Sequence, residues 1–285
     1  MLTATIGAAL ESARRSLQQK STSPTLDAQV LLAAALGRSR AWLLAHPEIE
    51  LSEPQARSYV ESLEQVLAGT ALPHVLGEWE FYGRRFRLSP AVLIPRPETE
   101  LVVERALELA EAVDNSPSVL DVGTGCGCLA ITLAMELPAA RVVASDVSRE
   151  PLRIARLNAQ EHGVTSRIRL VQADLLDGLL GRFDIVCANL PYVRTPDLEG
   201  LLGREPRLAL DGGADGLLLI RRLIKDLPRC LRPGGGAVLE IDPGQAEQVL
   251  QLAQASLPGS TVEVFQDLAG WDRVVVVRAG DPRAD

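Results

Sequence analysis

The run SVLDVGTGCGCLA, from Ser118 to Ala130, constrains the fold more than any other stretch of the chain. An apolar strand pattern stops at three glycines one residue apart, and a helical pattern begins directly after them. In a doubly wound α/β sheet, such a turn sits at the C-terminal strand ends. There the backbone comes close to a ligand, and a side chain at the glycine positions would obstruct it. The rest of the chain keeps the same rhythm. SVLDV precedes a helix over 128–136 and RVVAS one over 149–162; RIRLV and FDIVCAN follow, GAVLEI precedes a helix over about 245–256, and TVEVF and DRVVVVR close the chain. Near-continuous Val/Ile/Leu strands between helices predict a parallel sheet covered on both faces. Only the short turn region DLAGW separates the last two strands, so one of them runs antiparallel to its neighbour. The expected fold class is α/β, with a doubly wound, mostly parallel seven-stranded sheet.

Ahead of that sheet the pattern is helical. Leu2, Ile6, Leu10, Ala13 and Leu17 share one stripe, and Leu26, Val30, Leu31 and Ala34 a second that ends at Gly37. Ser52-Glu53-Pro54-Gln55 offers a capping box before Tyr59, Leu63, Val66 and Leu67. Residues 1–71 therefore read as a small helical bundle. Residues 72–98 read as a linker with a hairpin, because WEFYGRRFRL sets Gly83 between two aromatic-rich arms and LIPRPET follows. A helix starts near Pro97, and residues 99–285 form the α/β domain. A chain of 285 residues accommodates both domains.

The chemistry-bearing residues gather at the predicted strand ends. The turn Gly123, Thr124, Gly125, Cys126 and Gly127 reads as a cofactor cradle. A dinucleotide fingerprint would need Gly or Ala at position 128, where this chain has Cys128, so the NAD reading weakens. Asp146 ends the second strand, where its carboxylate can accept both ribose hydroxyls or cap the following helix. Asp121 can accept NH groups of the turn or the ammonium of an amino-acid tail. Asp174 and Leu175 reach the same edge from the third strand, at a place suited to adenine. The D-x-G-x-G-x-G run with the second- and third-strand aspartates resembles the class I S-adenosylmethionine-dependent methyltransferases. That resemblance implies a Rossmann-like catalytic domain over 99–285 with S-adenosylmethionine as cofactor.

The fourth strand ends in Asn189-Leu190-Pro191-Tyr192. The Asn189 carbonyl and the backbone carbonyl of Leu190 can both accept from one NH2 group, which aims its nitrogen at a methyl donor. Pro191 fixes the turn, and Tyr192 is expected to lay its ring over a flat substrate. The stretch is similar to the Asn-Pro-Pro-Tyr motif of amino methyltransferases, with Leu190 in place of the usual proline. GEWEFYGRRF, LIPRPETE and EPRLALDGGADGL, together with the helical N-terminus, closely resemble the release-factor glutamine methyltransferases of the PrmC/HemK family. This resemblance implies N5-methylation of the glutamine in the Gly-Gly-Gln motif of class I peptide chain release factors, with residues 1–71 recognising that substrate. Arg96, Pro97, Glu98 and Thr99 are expected to wall the pocket or turn the chain between domains, and Glu205, Arg207 and Asp211 to brace the loop after Asn189.

Charge and cysteine usage frame the partners. A net charge of -8 gives no global positive field for nucleic acid, and no apolar run suggests a membrane span. Cys126, Cys128, Cys187 and Cys230 read as reduced core residues of a cytoplasmic protein, and no metal site is expected because Cys126/Cys128 lack a second ligand pair. A protein substrate met by a monomer is the expectation. The rival readings are a DNA or RNA amino methyltransferase, which needs a basic groove, and a non-catalytic S-adenosylmethionine-binding protein, which has no use for Asn189 and Tyr192.

Overall fold

The computed structural model describes residues 4–113, 116–199 and 205–280; Leu2 of the first stripe lies outside them. The chain divides into two compact units, Met1–Glu78 and Trp79–Asp285.

Among its described residues the first unit holds five helices: α1 (Ile6–Leu17), α2 (Pro24–Leu36), α3 (Arg40–Ala45), α4 (Glu53–Leu67) and α5 (Leu72–Leu76). The Thr5 hydroxyl accepts from the Ala8 amide and starts α1, and Gly37 in the left-handed region ends α2. The Gln55 side chain reaches back to the Ser52 amide at 3.0 Å, as a capping box requires. Ile6, Leu17, Leu31, Leu32, Leu43 and Tyr59 make the core, and the Tyr59 hydroxyl donates to the Ala28 carbonyl. The short helices α3 and α5, six and five residues long, span less than two turns and leave no readable periodicity in the sequence.

A hairpin follows, β1 (Glu78–Phe81) and β2 (Arg84–Arg87), turned at Tyr82 and Gly83 with positive φ at both. A single 3-10 turn, Pro97–Thr99, leads into α6 (Glu100–Ala110). The alternation then runs β3 (Ser118–Val122), α7 (Cys128–Glu136), β4 (Arg141–Asp146), α8 (Arg149–Glu161), β5 (Ile168–Gln172) and β6 (Phe183–Ala188). It continues with α9 (Leu218–Cys230), β7 (Leu231–Glu240), α10 (Ala246–Ser256), β8 (Thr261–Gln266) and β9 (Asp272–Arg278). The sheet order is β5-β4-β3-β6-β7-β9-β8. Strands β3 to β7 pair in parallel, and β9 runs antiparallel to both β7 and β8, as the short DLAGW connection demands.

The alternation read from the sequence omits α9. Its Ile220, Leu223, Ile224 and Leu227 form a buried stripe against β7 and α10. Leu120, Val122, Val186, Ala188, Ala237 and Leu239 face this layer. Alternate residues along each strand point the other way, so Asp121 and Glu240 face the side on which α6 and α7 pack. Among the described residues no helix is long and apolar enough to cross a membrane.

Candidate active site

The strand order reverses between β3 and β6, the place where open α/β sheets bind ligands. A cavity of about 330 Å³ lies there. Its lining includes Gly123, Thr124, Gly125, Cys126 and Cys128 of the glycine turn, Asp146, Asp174 and Leu175 from the next two strand ends, and Asn189, Leu190 and Pro191 from the fourth. Pro95 and Thr99 close one side, and Leu208, Leu219 and Arg222 another. Asp121, Gly127 and Tyr192 belong to the same constellation without lining the cavity.

The glycine turn is held by its neighbours. A Cβ at Gly123 would lie 3.0 Å from the Leu190 side chain, and one at Gly127 would lie 3.0 Å from Ile131 and 3.1 Å from Ala155; both residues have positive φ. The first glycine thus lets the Asn189–Tyr192 loop approach, and the last lets α7 and α8 pack closely. The buried Asn158 side chain ties the turn to the hairpin, donating to the Cys126 carbonyl at 2.8 Å while its oxygen accepts from the Arg87 amide at 2.8 Å.

Asp121 is fully buried. Its Oδ2 accepts from the Thr124 hydroxyl at 2.6 Å and from the Ala130 amide at 3.1 Å, whereas Oδ1 has no partner. Burial pushes this carboxyl up to about 7, against the pull of those two bonds. Asp146 accepts from the Gly125 amide at 3.0 Å and the Ser148 amide at 2.9 Å, joining the glycine turn to the cap of α8. Bonded in this way at the start of α8, Asp146 also lines the cavity. Burial raises its pKa as well. Asp174 pairs with Arg222 at 2.9 Å across the cavity rim, and Leu175 adopts φ +52 as the chain turns there.

Asn189 donates from Nδ2 to the Thr99 hydroxyl at 2.9 Å, and the Thr99 hydroxyl donates to Glu240 at 2.6 Å. Tyr192 donates to the other Glu240 oxygen at 3.2 Å. Its ring packs against the apolar core instead of the cavity, because the buried Glu240 draws the phenol inward. Burial, then the Glu240 charge, raise the Tyr192 pKa, so the phenol stays protonated and keeps donating. Leu190 does more than offer a carbonyl: it is 3% exposed and packs in the main core.

Of the three residues expected to brace the loop after Asn189, Arg207 and Asp211 do so. Thr195, Arg207 and the Gly213 amide all bond to Asp211, and the Val193 amide donates to the Leu210 carbonyl. Glu205 instead pins the other wall, accepting from the Ile94 amide at 2.8 Å and pairing with Arg96. Of Arg96 to Thr99, only Thr99 lines the cavity.

The PrmC N-terminal domain profile matches residues 8–77, and a methyltransferase domain profile matches residues 119–213. The release factor glutamine methyltransferase of Moorella thermoacetica is 42% identical, covering 88% of this chain and 89% of its own length. That of Bradyrhizobium diazoefficiens is 37% identical over 97% of each, and that of Koribacter versatilis 39% over 96% and 98%. The chain belongs to the release factor glutamine methyltransferase family.

Solved structures add the fold. A methyltransferase from Pyrococcus furiosus superposes with a TM-score of 0.52 at 18% identity, covering 77% of this chain and 98% of that one. The hMettl16 catalytic domain, solved with the MAT2A 3′UTR hairpin 1, reaches 0.56 at 14% identity over 84% of each chain. Within this methyltransferase fold, the residues that the sequence motifs leave out are Glu240, Thr99 as a link, and Asn158. One signal marks the first: Glu240 is an acidic residue at the end of the apolar run GAVLE, where only a paired carboxylate can be buried.

Proposed function

We propose that this chain transfers a methyl group from S-adenosylmethionine to the side-chain amide nitrogen of the glutamine in the Gly-Gly-Gln motif of class I release factors. The observation that carries the reading is the fixed Asn189 side chain. Its NH2 is held by Thr99, which leaves its carbonyl oxygen for the cavity it lines. That oxygen accepts one hydrogen of an incoming amide, and the Leu190 carbonyl takes the second, so the pair selects an NH2 group and aims its nitrogen.

The residues present fit S-adenosylmethionine. The glycine turn leaves room for its amino-acid portion, with the buried Asp121 steadying that turn from behind through Thr124 and Ala130, Asp146 suits the ribose hydroxyls, and the edge at Asp174 and Leu175 suits adenine. When bound, the group supplies a methyl carbon on a sulfonium, activated for attack and leaving a neutral thioether behind. The chain's own task is orientation. An amide nitrogen is a poor nucleophile, and alignment of the two reactants can supply up to ~7–11 kcal/mol. No strong base is needed at Asn189, since the nitrogen becomes acidic as its new bond forms and its proton passes to water. On this reading the protein is a cytoplasmic monomer whose N-terminal bundle serves release-factor recognition.

The test is transfer of labelled methyl from the cofactor to a purified class I release factor, run beside naked DNA. Label on the release factor alone is expected; label on DNA, or none on the protein, overturns the reading.

A further inference from the structure

We infer that Glu240 is a positioning residue that sets, through the Thr99 hydroxyl, which end of the Asn189 amide faces the substrate. The inference rests on the release-factor reading for its substrate, and on hydrogen-bond accounting for the rest. Thr99 and Glu240 are 2% and 1% exposed, so water does not substitute for their partners. A carboxylate only accepts, so the one Thr99 proton must point at Glu240. The Thr99 oxygen can then only accept from Asn189, which must present its NH2 inward and its carbonyl outward. Tyr192 occupies the second Glu240 oxygen and holds the carboxylate in register.

Protonation of Glu240 reverses the chain. A carboxylic acid donates to Thr99, Thr99 donates to Asn189, and the amide turns its NH2 toward the cavity. Two NH2 groups then face each other, and the substrate amide is repelled. The groups facing Glu240 are Thr99 and Glu98 from the turn before α6, Tyr192 from the loop after β6, and Arg273 from β9. Burial dominates over the bonds from Thr99 and Tyr192 and the Arg273 charge, and pushes the Glu240 carboxyl up to about 7. Turnover therefore requires the ionised form and falls as pH drops through that region.

The experiment measures kcat for methyl transfer to a release factor at saturating cofactor between pH 5.5 and 9. The wild type should lose turnover about tenfold per pH unit below the Glu240 midpoint. Glu240→Gln has no proton to gain or lose, so the turnover it retains should show no acidic limb. Thr99→Ser should retain both limb and rate, while Thr99→Val should lower kcat about 10- to 100-fold, the scale of a misplaced reacting group. S-adenosylhomocysteine affinity should be unchanged in Thr99→Val, which shows the fold intact. An acidic limb that survives in Glu240→Gln, or wild-type kcat in Thr99→Val, overturns the inference. A second readout is independent of activity: the side-chain 15N signals of Asn189 should titrate with the Glu240 midpoint in the wild type and not in Glu240→Gln. If the wild type methylates no release factor, the substrate reading fails while this titration still decides the inference, and its absence overturns it.

Discussion

Replacing Asp121 by Asn should remove the pH dependence that this residue imposes on the stability of the unliganded protein. Its carboxyl moves from an ordinary 3.8 to about 7 on folding, because burial disfavours the charge more than Thr124 and Ala130 favour it. A carboxyl with a raised pKa binds its proton more tightly in the folded state. Its contribution is therefore full below about pH 4 and is lost as pH rises through 7. At pH 8 the group is ionised in both states. At pH 5 it is protonated only in the fold, about two pH units below its folded midpoint. At ~1.36 kcal/mol per unit, the wild type gains about 2–3 kcal/mol between pH 8 and pH 5 from this group. Asp121→Asn has no proton to take up, yet its amide oxygen can still accept from Thr124 and Ala130. Relative to the wild type it should therefore fare better at pH 8 than at pH 5 by that amount, or ~5–10 °C in melting temperature for a unit of this size. Glu240 titrates in both proteins and cancels. Calorimetric melting of both unliganded proteins at the two pH values reads the difference directly. An equal stability difference at both would show that Asp121 is already ionised at pH 5, and the burial argument would be wrong.

Asp146→Ala should weaken S-adenosylhomocysteine binding while the chain stays folded, since Asp146 lines the cavity and bonds two backbone amides at its edge; unchanged affinity by calorimetry would refute its ribose role. Leu190→Ala should cost about 2–4 kcal/mol of stability, because the side chain is buried in the core beside Gly123. Urea unfolding within ~0.5 kcal/mol of wild type would mean that Leu190 matters only through its carbonyl.

The legible part of the site is the part written locally. The glycine turn, Asp146 at its strand end and the Asn189 stretch each announce themselves within a dozen residues, because strand, turn and helix signals adjoin them. The network behind Asn189 is different. Thr99 lies 90 residues before Asn189 and Glu240 lies 48 beyond Tyr192. Only the pairing of β6 with β7 and the packing of α6 on both bring the three together. Motif spacing cannot express that, although a lone glutamate closing an apolar strand marks a buried partner. Tyr192 shows the same limit. Its chemistry suits stacking on a flat substrate, yet the buried carboxylate beside it decides where the ring goes. Helix α9 is unreadable for another reason: no side-chain cap and no strand signal adjoin its start to set it off.

The central claim is that the Asn189 side chain, with its NH2 anchored on Thr99, aims a glutamine amide. The most direct measurement incubates a class I release factor with cofactor and either wild type or Asn189→Ala, then maps the methyl group by peptide mass spectrometry. S-adenosylhomocysteine affinity measured alongside confirms that the variant keeps its cofactor site. The account predicts one methyl on the side-chain nitrogen of the Gly-Gly-Gln glutamine with the wild type, and turnover about 100-fold lower or more with Asn189→Ala. A methyl group on any other residue, or near-normal turnover in a variant that binds cofactor normally, would contradict it.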